Sequence, residues 1–282
     1  MKSISGCFVC FLEQAHSSVM FALDDEARRW DILQGVSSLL MDLGMENSPA
    51  YNSSLILHKV NDFLGVEDPY AEAKKELNQK ALSLAPEIMN RIRGQQDRFQ
   101  AALRLTAAGN VMDLGIKHEA DLSEAMELAL GDGFTRFDYE AFKKRLASAQ
   151  RILYILDNAG EIVFDKVLME GLRAQKKMVI AAVKSGPILN DATLEDARAV
   201  GLDKVVRVIE TGSNYVGVIR DQCSETFLKV LDSADLVIAK GQGNYETLDE
   251  SGDRFFFILK AKCPHVADAL GVKVNDLVLA QG

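Results

Sequence analysis

The stretch RILYILDNAGE, residues 151–161, decides the fold class of this 282-residue chain. Its first six residues are mostly isoleucine and leucine, a run typical of a strand that is buried on both faces of a sheet. Asp157, Asn158 and Gly160 follow directly, and the residues after Glu161 have the apolar spacing of a helix. A strand that passes through a short polar loop into a helix predicts one unit of a parallel α/β sheet.

The chain after this stretch repeats the same alternation. Helical or loop segments separate further β-rich runs, which read KMVIAAV (177–183), KVVRVI (204–209), DLVIAK (235–240), FFFILK (255–260) and VNDLVLA (274–280). Near-continuous apolar strands that alternate with helices predict a mostly parallel sheet with helices on both faces. In such a sheet, ligands bind in the loops at the carboxyl ends of the strands.

The chain before Arg151 has a helical pattern. Apolar residues recur three and four positions apart in residues 11–23, 30–43, 70–84 and 88–105. Pro86 is expected in the first turn of the last of these helices, where a missing N–H costs little.

No convincing strand pattern precedes Arg151, and the composition changes near residue 148. The chain is therefore expected to consist of a helical domain or cap, residues 1–148, and an α/β domain, residues 149–282.

Composition and charge exclude several classes of function. The chain has 32 basic and 41 acidic residues and a net charge of −9, which argues against a large nucleic-acid interface. It contains no run of roughly 18 uncharged apolar residues that would span a membrane. The apolar run at the N-terminus is short, holds two cysteines and reaches Glu13 early, unlike a secretory signal. A cytoplasmic location is expected.

Two predicted strand ends carry oxygen-bearing side chains suited to a metal ion. Asp157 and Asn158 follow the first strand, and Asp191 follows the second. If the two strands are neighbours, these three side chains converge, and their oxygen atoms suit Mg²⁺ or Mn²⁺. The helix that starts near Gly160 adds free N–H groups and a positive dipole end for a phosphate.

Helix capping is the alternative explanation for the same residues. Asn158 and Glu161 have the spacing of a capping box, in which Asn158 would be the N-cap. Asn190 or Asp191 could likewise cap the helix that runs through Val200. The pattern alone leaves both explanations open.

The segment KGQGNYE, residues 240–246, follows another predicted strand. Its glycines allow backbone N–H groups to approach a ligand, Lys240 supplies a positive charge for a phosphate, and Asn244 can bond oxygen atoms. It is neither a Walker loop nor a complete dinucleotide-binding fingerprint. The alternative is a glycine-rich turn in which Asn244 caps the next helix.

A similar ambiguity applies to the segment AAGNVMD, residues 107–113. A glycine followed by asparagine after a long helix favours a C-cap. Asn110 and Asp113 could instead reach the α/β domain as part of a lid.

Cys7 and Cys10 form a CxxC pair that could bind zinc or iron or form a redox disulfide. A zinc site needs about four ligands. Cys263 and His265 could complete one only if the two termini of the chain meet. The alternative is a pair of buried free thiols on a helix.

Taken together, these segments resemble the damage-control phosphatase family, a metal-dependent group, and in particular its prokaryotic CxxC-containing branch. The resemblance covers essentially the whole chain. It depends on four motifs in the same order, which are Gly109-Asn110-x-x-Asp113, DNAGE at 157–161, Asn190-Asp191 and KGQGNYE at 240–246.

The resemblance implies a helical N-terminal region packed on a Rossmann-like α/β domain. It implies one divalent cation, Mn²⁺, Mg²⁺, Co²⁺ or Ni²⁺, held by Asp157, Asn158 and Asp191. Lys240 and Asn244 correspond to contacts with the substrate phosphate. Such enzymes remove phosphate from harmful or surplus phosphometabolites, often sugar phosphates.

The remaining site residues follow from this mechanism. Glu161 or Asp157 would orient or deprotonate the attacking water, and Lys240 would offset charge on the phosphoryl group. Residues expected near the substrate are Asn110, Asp113, Gly160, Lys240, Gln242 and Asn244. A small phosphorylated metabolite is the expected partner, and a second structural metal at Cys7 and Cys10 is a further candidate.

Two alternatives to this mechanism remain. In the first, Asp157 is a phospho-aspartyl nucleophile. Haloacid-dehalogenase phosphatases carry a second Asp two residues further on, where this chain has Ala159. In the second, the same loops bind a phosphometabolite or a nucleotide without catalysis.

Overall fold

The computed structural model describes residues 1–109 and 119–282. Two of the predicted substrate contacts, Asn110 and Asp113, lie outside the described residues.

One mixed sheet organises the described part of the chain. Its seven strands have the order β1-β7-β6-β5-β2-β3-β4. The strands are β1 Phe134–Phe137, β2 Arg151–Ile155, β3 Met178–Val183, β4 Arg207–Glu210, β5 Leu236–Lys240, β6 Phe255–Lys260 and β7 Leu277–Gln281. All neighbouring strands are parallel except β6 and β7, which are antiparallel. The predicted mostly parallel sheet is therefore confirmed.

Helices surround this sheet. In the described residues they are α1 Ser5–Ala22, α2 Glu26–Leu40, α3 Pro49–Leu64, α4 Ala71–Arg93, α5 Arg98–Ala108, α6 Glu119–Leu130, α7 Tyr139–Ser148, α8 Ile162–Ala174, α9 Leu194–Ala199, α10 Glu225–Ser233, α11 Gln242–Leu248 and α12 Pro264–Leu270. A 3₁₀ turn spans Arg220–Gln222. None of the described helices has the length and apolar character required to cross a bilayer.

Both faces of the sheet are covered, as alternation along the strands shows. In β6, Phe256 and Ile258 belong to the apolar cluster on one face, and Phe255 and Phe257 belong to the cluster on the other. Successive side chains of a strand point to opposite faces, so a strand that is apolar throughout must be covered twice. A third cluster holds α1, α2 and α3 together and makes up the N-terminal helical region.

The structure corrects two expectations about the first half of the chain. A short strand, β1, does precede Arg151 and pairs in parallel with β7 at the edge of the sheet. Its four residues are only partly buried and are too few to show a periodic pattern. Pro86 lies inside α4 rather than in a first turn, and the helical chain breaks later, where Asp97 caps α5. The buried residues Ile88 and Ile92 help to stabilise α4 beyond the proline.

Candidate active site

The candidate site lies at the topological switch point of the sheet, where strands that are successive in the chain are added on opposite sides of β2. The chain adds β3 and β4 on one side of β2 and then crosses to add β5 and β6 on the other side. The loops that follow β2 and β5 therefore diverge and leave a crevice at their carboxyl ends. Asp157 follows β2 and Gly241 follows β5, so the predicted motifs meet at this crevice.

Asp157, Asn158 and Asp191 are brought together by backbone pairing. The N–H of Ala159 donates to the carbonyl of Asn190 at 2.9 Å, and the N–H of Ala192 donates to the carbonyl of Asp157 at 2.7 Å. Asn158 and Asp191 face each other in an antiparallel bridge. The condition on which the metal hypothesis depended, that the two loops converge on one side of the sheet, is therefore met.

The structure contradicts the capping explanations. Helix α8 begins at Ile162, with Glu161 rather than Asn158 in the N-cap position. Helix α9 is capped by Thr193, whose backbone N–H and hydroxyl donate to Asp196 at 2.9 and 2.8 Å. Asp191 lies two residues before that cap, so neither Asn158 nor Asp191 is needed to start a helix.

Asn244 does not cap a helix either, because it lies inside α11, which follows Gly241. Its Nδ2 donates to the carbonyls of Lys240 at 2.7 Å and Leu156 at 3.3 Å, which joins the ends of β5 and β2. Its buried Oδ1 accepts no hydrogen bond from the described residues.

The pKa values of Asp157 and Asp191, the two aspartates of the site, are raised. Burial raises the pKa of Asp157 well above its ordinary value, and the negative charges of Asp191 and Glu161 raise it further. Burial also raises the pKa of Asp191, to about 6, although the neighbouring Lys184 acts in the opposite direction. Two carboxylates held together in a buried place favour the binding of a positive charge.

Asn158 completes a set of three oxygen donors. Its Nδ2 donates to Asp157 Oδ2 at 2.9 Å and to Glu161 Oε2 at 3.4 Å, which leaves Oδ1 as the acceptor atom of the amide. Two carboxylates and one amide oxygen are hard donors that fit a divalent cation such as Mg²⁺ or Mn²⁺. The residues of this site therefore match the group that the resemblance implies.

Gly241 is required at this position for two reasons. Its φ of +80° is strained for any other residue, and a Cβ atom there would lie 2.1 Å from Asp157 Oδ2. The carboxylate of Asp157 thus occupies the space that a side chain at position 241 would take. The glycine sets how far Asp157 can reach into the crevice.

The structure places Lys240 in the protein interior rather than at the surface of the crevice. The side chain is fully buried, and its Nζ donates to Glu161, to Asp165 Oδ1 at 2.9 Å and to the carbonyl of Thr106 at 3.0 Å. Burial lowers the pKa of Lys240, but the charges of Asp165 and Glu161 outweigh it, so the pKa is raised. All three ammonium donors are thus used within the protein.

The buried ion cluster around Lys240 extends to the helical half of the chain. Tyr154 donates from its hydroxyl to Asp165 Oδ1 at 2.6 Å. A Cβ atom on Gly109, at the end of α5, would lie 2.8 Å from Glu161 Cγ. Helix α5 therefore packs directly against Glu161 and helps to fix its position.

Lys262 lies two residues after β6, and sequence reasoning gave it no role at the site. Its side chain is exposed, and its positive charge lowers the pKa of both Asp157 and Asp191. Its backbone N–H donates to Gln242 Oε1 at 2.8 Å, so the loop after β6 is tied to the loop after β5. The signal that could have identified it is a lysine just beyond the carboxyl end of a strand that neighbours the site.

Two other residues near the site have defined structural partners. Gly160 has a φ of +78° and donates its N–H to Asn78 Oδ1 in α4 at 2.7 Å. Lys184, at the end of β3, lies 3.6 Å from Asp191 Oδ2 and is buried. Sequence reasoning gave Lys184 no role.

The CxxC pair lies on α1 beside the C-terminal part of the chain. Burial raises the pKa of the Cys7 and Cys10 thiols, and Glu246 and Cys263 are near enough to raise it further. His265 Nε2 lies 2.8 Å from the carbonyl of Lys2, so the two terminal segments do meet. Within residues 1–109 and 119–282, no three His, Cys, Asp or Glu side chains form a metal-binding group.

Residues 3–278 match the model of the damage-control phosphatase ARMT1-like domain. The chain belongs to the damage-control phosphatase family. It is 38% identical to a damage-control phosphatase of Pyrococcus horikoshii, over 99% of this chain and 97% of that protein. It is 34% identical to a damage-control phosphatase of Archaeoglobus fulgidus, over 99% of this chain and 98% of the relative. The resemblance inferred from the four motifs is therefore confirmed.

A solved structure supports the family's fold for this chain. The crystal structure of a DUF89 family protein from Pyrococcus horikoshii has a TM-score of 0.92 with 38% sequence identity. The match covers 100% of this chain and 99% of that one. The α/β sheet and the N-terminal helical region are thus features shared with another member of the damage-control phosphatase family.

Proposed function

We propose that this chain is a metal-dependent phosphatase that hydrolyses phosphate esters of small metabolites, with sugar phosphates among them. The observation that carries the proposal is the convergence of Asp157, Asn158 and Asp191 at the switch point of the sheet. Membership in the damage-control phosphatase family supports the reaction class. The net charge of −9 favours small substrates over nucleic acid.

In this proposal, Asp157, Asn158 and Asp191 hold one divalent cation, for which Mn²⁺, Mg²⁺, Co²⁺ and Ni²⁺ are the candidates. When bound, the cation acts as a Lewis acid on the phosphoryl group and makes a bound water more acidic. The side chains contribute a fixed arrangement, because Asn158 holds Asp157 through Nδ2 and the backbone bridge holds Asp191.

Glu161 is the proposed residue that orients the attacking water or accepts its proton, with Asp157 as the other candidate. The Glu161 carboxylate contacts the Asn158 amide and is held by Lys240. A phosphate contact through Lys240, as predicted from the sequence, would require one of its three hydrogen bonds to break. We therefore assign Lys240 the task of positioning Glu161.

Lys262 is the proposed counter-charge for the phosphoryl group. It is exposed, and its charge acts on both Asp157 and Asp191, so an anion bound at these residues would lie within its field. Cations arranged before the reaction around a developing negative charge lower its free energy more than mobile ions do. Asn244 Oδ1, which accepts no hydrogen bond from the described residues, is a further candidate for a contact with the substrate. The side chain of Gln242, which accepts from the backbone N–H of Lys262, is another.

The experiment that tests the function is a screen of metals against substrates with released phosphate as the readout. Purified protein stripped of metal would be assayed with each of the four cations and a panel of phosphate monoesters. Hydrolysis that requires an added cation supports the proposal. The absence of hydrolysis with every cation and every ester would favour the non-catalytic alternative, in which the loops only bind a phosphometabolite or a nucleotide.

A phosphoenzyme test separates the two catalytic mechanisms. If Asp157 were a covalent nucleophile, a rapid acid quench with labelled substrate would trap phosphate on the protein. The proposed mechanism predicts no such species. A cytoplasmic location and a second structural metal at Cys7 and Cys10 stay predictions, and elemental analysis of the purified protein tests the latter.

A further inference from the structure

A cavity of about 670 Å³ lies at the same edge of the sheet as the candidate site. The C-terminal part of α3 forms one wall, with His58 and Asp62, and Glu67 follows on the same side. The loops after β3 and β4 form the opposite wall, which includes Ser185 and Asn214. His58 Nε2 lies 3.0 Å from the carbonyl of Asn214, so a hydrogen bond joins the two walls.

Two independent lines of contact connect this cavity with Asp191. Ser185 lines the cavity, and the preceding Lys184 lies 3.6 Å from Asp191 Oδ2. On the other wall, Glu67 is followed by Asp68, whose carboxylate lies 2.7 Å from Lys74 Nζ. Lys74 Nζ also lies 3.6 Å from Asp196 Oδ2 in α9, the helix that follows Asp191 in the chain. Both walls of the cavity are therefore joined to the segment that carries Asp191.

The α3 wall of the cavity is negative. Asp62 and Glu67 are exposed, and neither forms a salt bridge with any described residue. Helix α3 ends at Gly65, so its last carbonyls add the negative end of the helix dipole. Neither lysine nor arginine is among the described residues that line the cavity.

The position of Asp62 does not stabilise its own helix. A carboxylate in the last turn of a helix is repelled by the dipole, and the last turn of α3 has no basic residue to offset it. Carboxylates accept hydrogen bonds from hydroxyl groups and repel other anions.

We propose that this cavity binds the uncharged, hydroxyl-bearing part of the phosphate ester, and that Asp62 and Glu67 reject substrates that carry a second anionic group. This inference rests on the proposed phosphatase function. The ester would place its phosphate near Asp157 and Asp191, while its hydroxyl groups donate to Asp62 and Glu67. Ser185 and Asn214 supply further polar groups on the facing wall.

The test uses two substrates that differ at a single carbon. Glucitol 6-phosphate ends in a hydroxymethyl group, where 6-phosphogluconate ends in a carboxylate. The protein, with the cation that supports hydrolysis, is assayed with both, and the ratio of their kcat/KM values is the readout. Any change in the catalytic step common to both substrates cancels in this ratio.

We express the ratio as kcat/KM for glucitol 6-phosphate divided by kcat/KM for 6-phosphogluconate, and we expect it to exceed one in the wild type. It should fall roughly fivefold in the double variant Asp62→Asn, Glu67→Gln, because two like charges near 4 Å repel appreciably even in water. The matched control is Glu13→Gln, Asp31→Asn, which removes two exposed charges on α1 and α2 that do not line the cavity. This control should keep the wild-type ratio. In about 0.5 M NaCl, screening should lower the wild-type ratio and leave that of the cavity variant nearly unchanged.

Three results would overturn the inference. They are equal wild-type kcat/KM values for the two substrates, an unchanged ratio in the cavity variant, and an equal fall in the control variant. Failure of the proposed phosphatase function would give a different result. In that case 4-nitrophenyl phosphate, which has neither a polyol nor a second anionic group, would also resist hydrolysis with every cation.

Discussion

The ammonium of Lys240 donates a 2.9 Å hydrogen bond to the carboxylate of Asp165, and neither side chain is exposed to solvent. The same ammonium holds Glu161, and it also donates to the carbonyl of Thr106 in α5. The Lys240 side chain therefore connects three parts of the chain. It joins the end of β5 to Asp165 in α8, to Glu161 at the N-cap of α8, and to α5 in the helical half. This arrangement holds Glu161 in place beside the crevice.

Replacing Lys240 with methionine should destabilise the protein strongly. Glu161 and Asp165 would be left as buried carboxylates without a counter-charge, and breaking a buried pair in this way typically costs about 3–5 kcal/mol. Urea unfolding followed by circular dichroism measures the change. Lys229→Met is the matched control, since Lys229 pairs with Glu225 on the exposed face of α10. Similar unfolding free energies for the two variants would contradict the assigned role of Lys240.

Asp157→Asn and Asp191→Asn should each lose metal binding and activity while the protein stays folded. Each change replaces a carboxylate ligand with a neutral amide, and loss of one such charged contact typically lowers the rate by about a hundredfold or more. Titration calorimetry with Mn²⁺ and phosphate release are the two measurements. Asp203→Asn, at an exposed position in the same half of the chain, is the control. Undiminished Mn²⁺ binding in both site variants would refute the assignment.

Gly241→Ala should displace Asp157 and reduce activity out of proportion to its effect on stability. The added Cβ would lie 2.1 Å from Asp157 Oδ2. Gly252→Ala separates this clash from backbone strain, because Gly252 has a φ of +93° and open space around it. The positive φ should cost each variant roughly 1–3 kcal/mol of stability, and the clash adds to this cost in Gly241→Ala. Only Gly241→Ala should weaken Mn²⁺ binding, and equal binding in both variants would contradict this interpretation.

Lys262→Met should lower kcat/KM for phosphate esters by roughly a hundredfold and leave unfolding by urea almost unchanged, because an exposed cation acts on the bound phosphoryl group rather than on the core. Lys273→Met is the control, because Lys273 is also exposed but lies further along the chain from the end of β6 than Lys262 does. Steady-state kinetics at low and high salt are the measurement, and the effect should shrink as salt screens the charge. Equal kinetics for the two variants would exclude Lys262 from the site.

Glu246 should make the stability of the protein depend on pH. Burial raises the pKa of Glu246 from 4.5 to about 7 in the folded state. Between these two values the folded chain holds a proton that the unfolded chain releases, so stability falls as the pH rises through this window. The total change from this group is roughly 3 kcal/mol.

Urea unfolding at several pH values from about 4.5 to 7.5 tests this effect. This range covers the interval between the unfolded and folded pKa values of Glu246. Glu246→Gln should make the fall in stability shallower without abolishing it, because the raised pKa of Asp191 acts in the same window. Glu250→Gln, a change at an exposed neighbour, should leave the profile unaltered. A wild-type profile that Glu246→Gln leaves unchanged would show that another group is responsible.

Most of the fold could be predicted because its signals are local. The runs at 152–156 and 236–239 are apolar throughout, which predicts a strand covered on both faces for each of them. Polar residues directly after such strands then lie at the carboxyl edge of the sheet. This rule places Asp157, Asn158 and Asp191 at one edge, and they converge on the condition, met in the structure, that β2 and β3 are neighbours. The strand β1 was missed because its four half-buried residues carry too short a pattern.

The sequence by itself determined that this chain is an α/β protein with acidic and amide side chains at two strand ends, because hydrophobic periodicity and chain order are properties of neighbouring residues. Only the tertiary structure decided that Lys240 is buried against Glu161 and Asp165 and that Lys262 acts on the two aspartates. The direction in which a side chain points, and which distant residue it meets, depends on strand order and on the packing of helices. Those are set by contacts between residues far apart in the chain.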